Sequence, residues 1–337
     1  MSGSTSEQLA GVELADPALR AALERGLTQV EELLHREVQS EFRFLTETSL
    51  HLVDAGGKRF RPLFTLLAGQ FGPDQGRTQD VVRAAAVVEL VHLATLYHDD
   101  VMDEATMRRG AVSANARWDN TVAILTGDFL FAHASRLVAD LGPEAVRIIA
   151  STFAELVTGQ MRETTGPVPG TDPVAHYLAV VAEKTGSLIA TAGRYGAMFS
   201  GASQERIDAL RRYGEKIGTA FQISDDIIDI ASPAAQSGKT PGTDLREGIR
   251  TLPMLYALAE HSPGVERLRV LLAGPLTDDT LIAEALHLLR NSPGLDRAVQ
   301  SLRSYTDSAR AELAVLPPGP AREALASVTT YLAARTG

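Results

Sequence analysis

The chain has 337 residues, of which 45% are apolar, and its formal net charge is −10. This acidic balance argues against a nucleic-acid partner, because a general nucleic-acid binder normally presents a basic face. The absence of cysteine excludes disulfides and thiol catalysis, and no apolar run reaches the roughly 18 uncharged residues typical of a membrane span.

Composition and sequence pattern predict the N-terminal segment, the number of domains and the fold class. Residues 1–16 lack the basic and apolar regions of a signal peptide, so we expect a flexible N-terminus and a cytoplasmic protein. Residues 17–337 contain no linker, and we predict a single domain even though the length would permit two. Leu, Val and Ala recur at intervals of three and four residues from Pro17 onward, which predicts an all-α fold.

The first helical stretch, residues 17–51, ends at a basic loop. The sequence GGKRFRP covers residues 56–62; its glycines allow a tight turn, and Pro62 suits the first turn of the next helix. Three cations in four residues at a helix start favour an anion site that includes Lys58 and Arg61. A solvated turn that happens to be basic remains the alternative.

A long helix is predicted from Gln79 to Asp103, with an acidic cluster at its end. His92 lies seven residues, or two helical turns, before Asp99, and therefore on the same face. A lone histidine on an apolar face is more often a hydrogen-bonded core residue than a ligand contact. Arg108 and Arg109 follow; they are either simple counter-charges or bidentate phosphate contacts.

The second half repeats this arrangement of an apolar helix that ends in acids. Helices are predicted over residues 118–140, 143–161 and 174–200, the last interrupted by Lys184-Thr185-Gly186. The helix from residue 204 to residue 230 carries the second acidic cluster, with Gln222 one turn before it. A polar loop that contains Lys239 follows, and it is either a lid or an ordinary exposed connection.

The two clusters predict one chemistry. Closely spaced carboxylates repel one another unless nearby cations neutralise them. Carboxylate oxygens together with phosphates are the ligands that Mg²⁺ prefers. The basic groups exceed what metal binding needs and suit two diphosphates, while the apolar helices below suit hydrocarbon tails. We therefore expect prenyl diphosphate substrates and several Mg²⁺ ions. The candidate metal ligands are Asp99, Asp100, Asp103, Asp225, Asp226 and Asp229.

The ordered motifs GGKRFRP, LYHDDVMDEATMRRG, EKTG, FQISDDIIDI and GKTPGTDLREG span nearly the whole chain. In these motifs the chain resembles the trans-type isoprenyl diphosphate synthases, the polyprenyl synthetase family. The resemblance implies an all-α bundle of ten or more helices around a central cavity, paired as a homodimer. It also implies head-to-tail condensation of isopentenyl diphosphate with an allylic diphosphate, and a product that can be handed to a membrane.

The resemblance also implies roles for individual residues. Asp99 and Asp103 would ligate Mg²⁺ from one side and Asp225 from the other, while the remaining acids would act through water or orient the ligands. The isopentenyl diphosphate contacts would be Lys58, Arg61, His92 and Arg109. The allylic diphosphate contacts would be Arg108, Lys184 and Lys239, with Thr185 and Gln222 beside the allylic carbon.

Residues one to two turns before the first acid bear on product length. In the family a bulky residue four or five positions before that acid stops growth early, and here those positions are Thr95 and Ala94, with Val91 below. We therefore predict a long all-trans product, heptaprenyl to decaprenyl in class, of the kind that becomes a quinone side chain. The alternative is that these small residues merely pack against a neighbouring helix and that a floor comes from Phe129, Phe131 or Phe153.

Three other functions remain open at this point. A short-chain farnesyl or geranylgeranyl diphosphate synthase would share every motif, whereas a terpene cyclase would not need GGKRFRP or the second aspartate cluster. A catalytically silent partner subunit would have eroded acids, and none is eroded here. One position departs from the family pattern: Ile249 stands where a lysine is common, and its role is either lost or passed to Arg250.

Overall fold

The computed structural model describes residues 8–9, 12–73, 79–231, 241–260 and 264–335. The helices in chain order are α1 (Pro17–Glu37), α2 (Arg43–Asp54), α3 (Phe60–Ala68), α4 (Gln79–Met102), α5 (Ala114–Arg117), α6 (Asn120–Ala139), α7 (Pro143–Thr165) and α8 (Pro173–Val181). A π-helical segment, Ala182–Gly186, joins α8 to α9 (Ser187–Phe199). The later helices are α10 (Gln204–Ala231), α11 (Thr243–Glu247), α12 (Leu252–Leu258), α13 (Val265–Leu271), α14 (Asp279–Arg290), α15 (Pro293–Glu312) and α16 (Pro320–Ala334). Single 3₁₀ turns cover Gly69–Phe71 and Leu313–Val315.

The chain divides into two compact units. The first unit comprises residues 1–153, 188–212 and 313–327, and the second comprises residues 154–187, 213–312 and 328–337. Two short antiparallel hairpins lie in the first unit. They pair β1 (Gln8–Leu9) with β2 (Val12–Glu13), and β3 (Met107–Arg108) with β4 (Ala111–Val112).

Helix α4 forms the core of the first unit. It packs against α1, α3 and α6, and its residues from Val81 to Ala94 are buried almost without interruption. Close approach to α6 depends on Gly127, because a Cβ there would lie 2.3 Å from His98 Nε2 and 3.1 Å from the Ala94 carbonyl oxygen. Side-chain caps from Asp16 and Asp119 begin α1 and α6.

Helices α4 and α6 are long and apolar enough to cross a membrane by length and composition. The apolar window of α4 is 78% buried inside the protein, and that of α6 is 44% buried. Buried core helices pass the same test, so these two helices are weak evidence for a membrane span.

The core of the second unit forms around the end of α10. Ile230 packs with apolar side chains from α11 to α14, among them Leu245, Met254, Leu268 and Leu286. Helix α12 packs against α15, where a Cβ on Gly294 would lie 2.4 Å from the Ala257 nitrogen.

The prediction of an all-α fold is confirmed, and the long helices begin and end close to their predicted bounds. The expected helical stretch over residues 17–51 is broken at residues 38–42, where Thr46 Oγ1 accepts from the Ser40 nitrogen and donates to its carbonyl. Such side-chain bonds compete with helical backbone bonds. The two short hairpins were not predicted. That residues 17–337 form a single domain stays a prediction.

Candidate active site

The predicted basic loop lies between α2 and α3. Gly56 and Gly57 have φ values of +79° and +127°, which only glycine adopts readily, and Pro62 lies in the first turn of α3 as expected. Lys58 is exposed. A Cβ on Gly57 would lie 2.9 Å from Arg109 Cζ, so the second glycine is needed for the loop to pack against that arginine.

Arg61 and His92 lie at the centre of a positively charged region of the first unit. The pKa of Arg61 is lowered to about 10, chiefly by burial and also by the charge of Arg109, while Glu89 opposes both effects. Among the residues that the structure describes, Arg61 Nε has no hydrogen-bond partner. Burial, followed by the charges of Arg61, Arg109, Arg59 and Arg108, holds the pKa of His92 well below its usual value, so its imidazole is neutral at pH 7.

The first aspartate cluster lies at the end of α4, with Asp99 and Asp100 in its last turn and Asp103 directly after it. Asp100 is fully buried, and Arg108 Nε donates to its Oδ1 at 2.5 Å, while Arg108 Nη2 lies 3.9 Å from Asp103 Oδ2. Burial raises the pKa of Asp100, and the bond from Arg108 opposes this. Asp103 is exposed, and its backbone continues the helical bonding to the Asp99 carbonyl at 2.8 Å. The middle acid therefore points inward, and the third is accessible.

The second aspartate cluster, on α10, has the same inward middle acid. Tyr177 Oη donates to Asp226 Oδ2, and Gln222 Nε2 donates to Asp226 Oδ1 at 3.0 Å. Burial raises the pKa of Asp226 to about 7, against the effect of these two bonds. The carboxylate of Asp229 accepts from the backbone nitrogens of Thr243 and Asp244 at 3.1 and 3.2 Å. Asp229 thus fixes the start of α11.

Asp225 forms an ion pair that the sequence did not suggest. Arg335, at the end of α16, places Nη1 2.9 Å from Asp225 Oδ1, although the geometry is not that of a hydrogen bond. None of the sequence motifs includes Arg335, so this pairing is known from the structure alone. The first acid of the second cluster therefore has a cationic neighbour from the carboxyl-terminal helix.

A cavity of about 720 Å³ in the second unit brings together several predicted residues. Its lining includes Lys184, Thr185, Gln222 and Asp226, together with apolar side chains from α8 and α12. Lys184 Nζ lies 2.5 Å from Glu163 Oε2. The expected interruption of the helix at these residues is the π-helical segment, where a Cβ on Gly159 would lie 2.7 Å from the Lys184 nitrogen. π-Helical turns are frequent at functional sites.

Two of the sequence predictions concern the loop after α10. Lys239 lies outside the described residues. Ile249 and Arg250 both line the cavity, and Arg250 directs Nε and Nη2 to the Leu272 carbonyl oxygen at 3.1 and 2.9 Å. The guanidinium that was considered as a substitute for the missing lysine is therefore engaged with backbone in this structure.

The predicted chain-length residues are buried in α4. Val91, Ala94 and Thr95 are at most 9% exposed, and Thr95 Oγ1 donates to the His92 carbonyl. On α6 the ring of Phe131 lies 6.3 Å from that of His98 and 4.1 Å from that of Phe153. The alternative aromatic floor thus includes an aromatic pair, Phe131 and Phe153, which lies beside His98 near the end of α4.

The donor set fits a hard divalent cation. Asp100 Oδ2 is a buried carboxylate oxygen without a hydrogen-bond partner in the described part of the chain, and the other acids supply further oxygens of the type that Mg²⁺ prefers. No three such side chains among the described residues converge into a ready-made metal site. Substrate oxygens would therefore have to complete the coordination, as is usual for Mg²⁺ held by carboxylates and phosphates.

Comparison with known proteins identifies the family of the chain. The polyprenyl synthetase family model matches residues 42–289. A nonaprenyl diphosphate synthase of Mycobacterium tuberculosis is 58% identical over 98% of both chains. A dimethylallyltranstransferase of the same organism is 49% identical over 95% of this chain and 97% of its own.

A solved structure covers almost the whole chain as well. The geranylgeranyl pyrophosphate synthase from Corynebacterium glutamicum, complexed with calcium and isoprenyl diphosphate, superposes with a TM-score of 0.88 at 53% identity. It covers 97% of this chain and 100% of its own. The resemblance inferred from the motifs is confirmed. The chain belongs to the polyprenyl synthetase family, the trans-type isoprenyl diphosphate synthases, and it is a prenyltransferase.

Proposed function

We propose that this protein catalyses the Mg²⁺-dependent head-to-tail condensation of isopentenyl diphosphate with an allylic diphosphate to give a long-chain all-trans polyprenyl diphosphate. The chain is 58% identical to a protein named nonaprenyl diphosphate synthase, and this similarity supports a product of this length. A quinone side chain is the use that we propose for it.

One observation carries the proposal. Arg61 and Arg109 in the first unit share the carboxylate of Glu89, and the pKa of each guanidinium is lowered, chiefly by burial. Unpaired buried cations are unfavourable, so this region is built to receive an anion. A diphosphate supplies the missing charge, and arginine binds phosphate oxygens with paired N–H donors.

We assign the metal to the two aspartate clusters. Asp99, Asp103 and Asp225 would be the metal ligands, while Asp100, Asp226 and Asp229 orient their surroundings through the contacts described above. When bound, Mg²⁺ neutralises diphosphate oxygens and makes the diphosphate a better leaving group.

The proposed reaction breaks the carbon–oxygen bond of the allylic diphosphate and forms one carbon–carbon bond. Lys184 and Arg108 neutralise the departing diphosphate, and Thr185 and Gln222 place oxygens near the allylic cation. The double bond of isopentenyl diphosphate, held by Arg61 and the residues beside it, attacks that cation. A proton then leaves to the departed diphosphate, so charge and atoms balance without a protein base.

Product length is the finer part of the proposal. We infer that the small side chains of Ala94 and Thr95, which are buried in α4, allow a growing chain to pass where a bulky side chain would block it. We expect Ala94→Phe to shorten the products and Ala94→Val to have a smaller effect, as measured by mass spectrometry of the dephosphorylated prenols. Unchanged products in Ala94→Phe would contradict the assignment of α4 as the growth wall.

A short-chain product is the second candidate, and the aromatic pair Phe131 and Phe153 is the observation that favours it. If this pair is the floor, Phe131→Ala lengthens the product of a short-chain enzyme. If α4 alone sets the length, the product of Phe131→Ala matches that of the unchanged protein. The two variants together separate the candidates.

The function itself is tested by incubating the purified protein with Mg²⁺, isopentenyl diphosphate and dimethylallyl, geranyl, farnesyl or geranylgeranyl diphosphate. We expect elongated prenols after dephosphorylation, and none when EDTA is added. A protein that elongates none of the primers would refute the proposal. Cyclic hydrocarbons from a single allylic substrate would indicate a cyclase instead.

We also propose a cytoplasmic homodimer. The neighbouring side chains of Ile124 and Leu125 on α6 are 43% and 58% exposed, and exposed apolar side chains of this size favour an interface with a second copy. Light scattering after gel filtration should give the mass of a dimer, and Leu125→Glu should reduce it to that of a monomer. A monomeric parent protein would contradict this assignment.

A further inference from the structure

A buried carboxylate lies beneath the basic loop of the first unit. Glu89, on α4, is 2% exposed. Arg59 Nη1 lies 2.9 Å from its Oε1, and Arg109 Nη2 lies 3.4 Å from the same atom. Because a buried charge is costly unless it is paired, this carboxylate and its two guanidiniums depend on one another.

Arg59 uses every N–H that it has within the protein. Its Nε and Nη2 bind the two carboxylate oxygens of Glu31 at 2.5 and 3.2 Å, and Nη2 also donates to the Val53 carbonyl at 2.8 Å. Its Nη1 donates to the Gly56 carbonyl and to Glu89, both at 2.9 Å. A guanidinium has five N–H donors, and all five are taken. Arg59 therefore has no donor to offer a substrate, although it lies between two residues that resemble substrate contacts.

Arg109 contacts two of the acceptors that Arg59 uses, the Gly56 carbonyl and the Glu89 carboxylate. Besides Glu89, it donates from Nη1 to the Gly56 carbonyl and to the Leu52 carbonyl at 3.1 Å. Arg59 and Arg109 both have left-handed backbone, with φ values of 49° and 53°. Non-glycine residues rarely adopt that conformation unless their surroundings hold them in it.

We propose that Arg59 and Glu89 are positioning residues that hold Lys58, Arg61 and Arg109 in the arrangement that binds the diphosphate of isopentenyl diphosphate. This inference rests on the proposed function. Arg59 fixes the loop that carries Lys58 and leads to Arg61, and Glu89 ties that loop to Arg109. Neither residue touches the substrate.

The positions of the charges allow positioning to be separated from simple electrostatics. If only charge mattered, Glu89→Gln would remove a negative charge beside the anion and tighten its binding. If Glu89 positions the arginines, the same change weakens anion binding. The two mechanisms therefore predict opposite signs for one substitution.

The experiment measures binding of isopentenyl diphosphate and, separately, of inorganic pyrophosphate by calorimetry in EDTA, and the Michaelis constants of both substrates in Mg²⁺. We expect Glu89→Gln and Arg59→Gln each to weaken binding of isopentenyl diphosphate at least tenfold and to raise its KM, while the KM of the allylic substrate changes less than twofold. The double variant should resemble the weaker single variant, since both break one connection. Tighter binding in Glu89→Gln, or an equal rise in both KM values, would overturn the proposal.

Two further variants serve as controls. Arg59→Lys keeps the charge but cannot make five hydrogen bonds, so it should bind isopentenyl diphosphate as weakly as Arg59→Gln; full affinity in Arg59→Lys would refute positioning. Arg136→Gln removes an exposed ion pair with Glu37 in the same unit and should leave both KM values unchanged. Urea unfolding of each variant identifies any that fail to fold.

The design also distinguishes failure of this inference from failure of the proposed function. If the parent protein elongates no primer, the proposed function fails, and the sign of the pyrophosphate response in Glu89→Gln still decides whether Glu89 positions the cations. If the parent protein is active and Glu89→Gln binds both anions more tightly, only the positioning inference fails.

Discussion

Arg61, whose Nε has no hydrogen-bond partner among the described residues, offers the sharpest test of how this site is built. Burial and the neighbouring Arg109 lower its pKa from 12.5 to about 10. At about 1.4 kcal/mol per pH unit, that difference corresponds to a cost on the order of 3 kcal/mol for holding the charged group in the folded protein without ligand. Arg61→Met keeps most of the stem and removes the charge.

Stability and binding should therefore respond in opposite directions. We expect Arg61→Met to raise the free energy of unfolding of the ligand-free protein by about 1–3 kcal/mol, because the unpaired charge is gone. A hydrogen bond to a charged group contributes about 1.5–3 kcal/mol, so binding of isopentenyl diphosphate should weaken by about 10-fold to 150-fold.

The assay pairs urea unfolding in EDTA with calorimetric titration of isopentenyl diphosphate, both in a buffer free of phosphate and sulfate. Arg83→Met is the matched control, because in the described part of the chain Arg83 forms an exposed pair with Asp80 on α4; this change should alter neither quantity by much. An Arg61→Met protein that is less stable than its parent and binds isopentenyl diphosphate as well would refute the reasoning on both counts.

Three other predictions follow from the same contacts. Because the pKa of His92 is lowered in the folded protein, the neutral imidazole contributes stability above pH 6.5, and this contribution is lost as the pH falls below that value. Urea unfolding between pH 7.5 and 5 should show the loss, and His92→Gln should lessen it. Removing the cation that neighbours Asp225 with Arg335→Gln should lower the Mg²⁺ concentration for half-maximal activity and tighten Mn²⁺ binding measured by electron paramagnetic resonance, whereas a higher requirement would show that Arg335 assists the metal. Gly127→Ala should destabilise the first unit by about 1–3 kcal/mol in urea unfolding, since its Cβ would lie 2.3 Å from His98 Nε2; an unchanged midpoint would mean that α4 and α6 can separate freely.

The sequence predicted those features that depend on spacing along one helix. The face shared by His92 and Asp99, the positive φ values of Gly56 and Gly57, and the interruption at residues 184–186 all follow from local rules that operate over a few residues. These are the parts of the site for which the order of residues is sufficient.

The partners of those residues could not be predicted in the same way. Glu89 reads as one more polar position on an apolar helix, and only the fold shows that it meets Arg59, thirty residues earlier. Tyr177 and Arg335 reach the second cluster from α8 and α16 across many intervening residues. Which long-range pairs form depends on how the helices pack, and no local pattern encodes that.

The orientation of the second acid in each cluster was predictable from the sequence only in part. An i, i+1, i+4 pattern places the first and third acid on one face, so the second must point elsewhere. The sequence could not show that Asp100 and Asp226 point into the protein and that both find a donor there. The second acid of each cluster is therefore held by a donor from the protein itself.

The local charge balance around the basic loop has a practical consequence for anyone handling this protein. Among the described residues, the guanidiniums of Arg59 and Arg109 pair with the carboxylates of Glu31 and Glu89, and Arg61 adds a third guanidinium beside them, so small oxyanions in solution will be drawn to the remaining positive charge. Any anion that binds the folded form alone stabilises it in proportion to the logarithm of its concentration. Phosphate and sulfate buffers should make the protein more resistant to heat and, by occupying the same donors, a poorer catalyst. Assays and storage call for different salts.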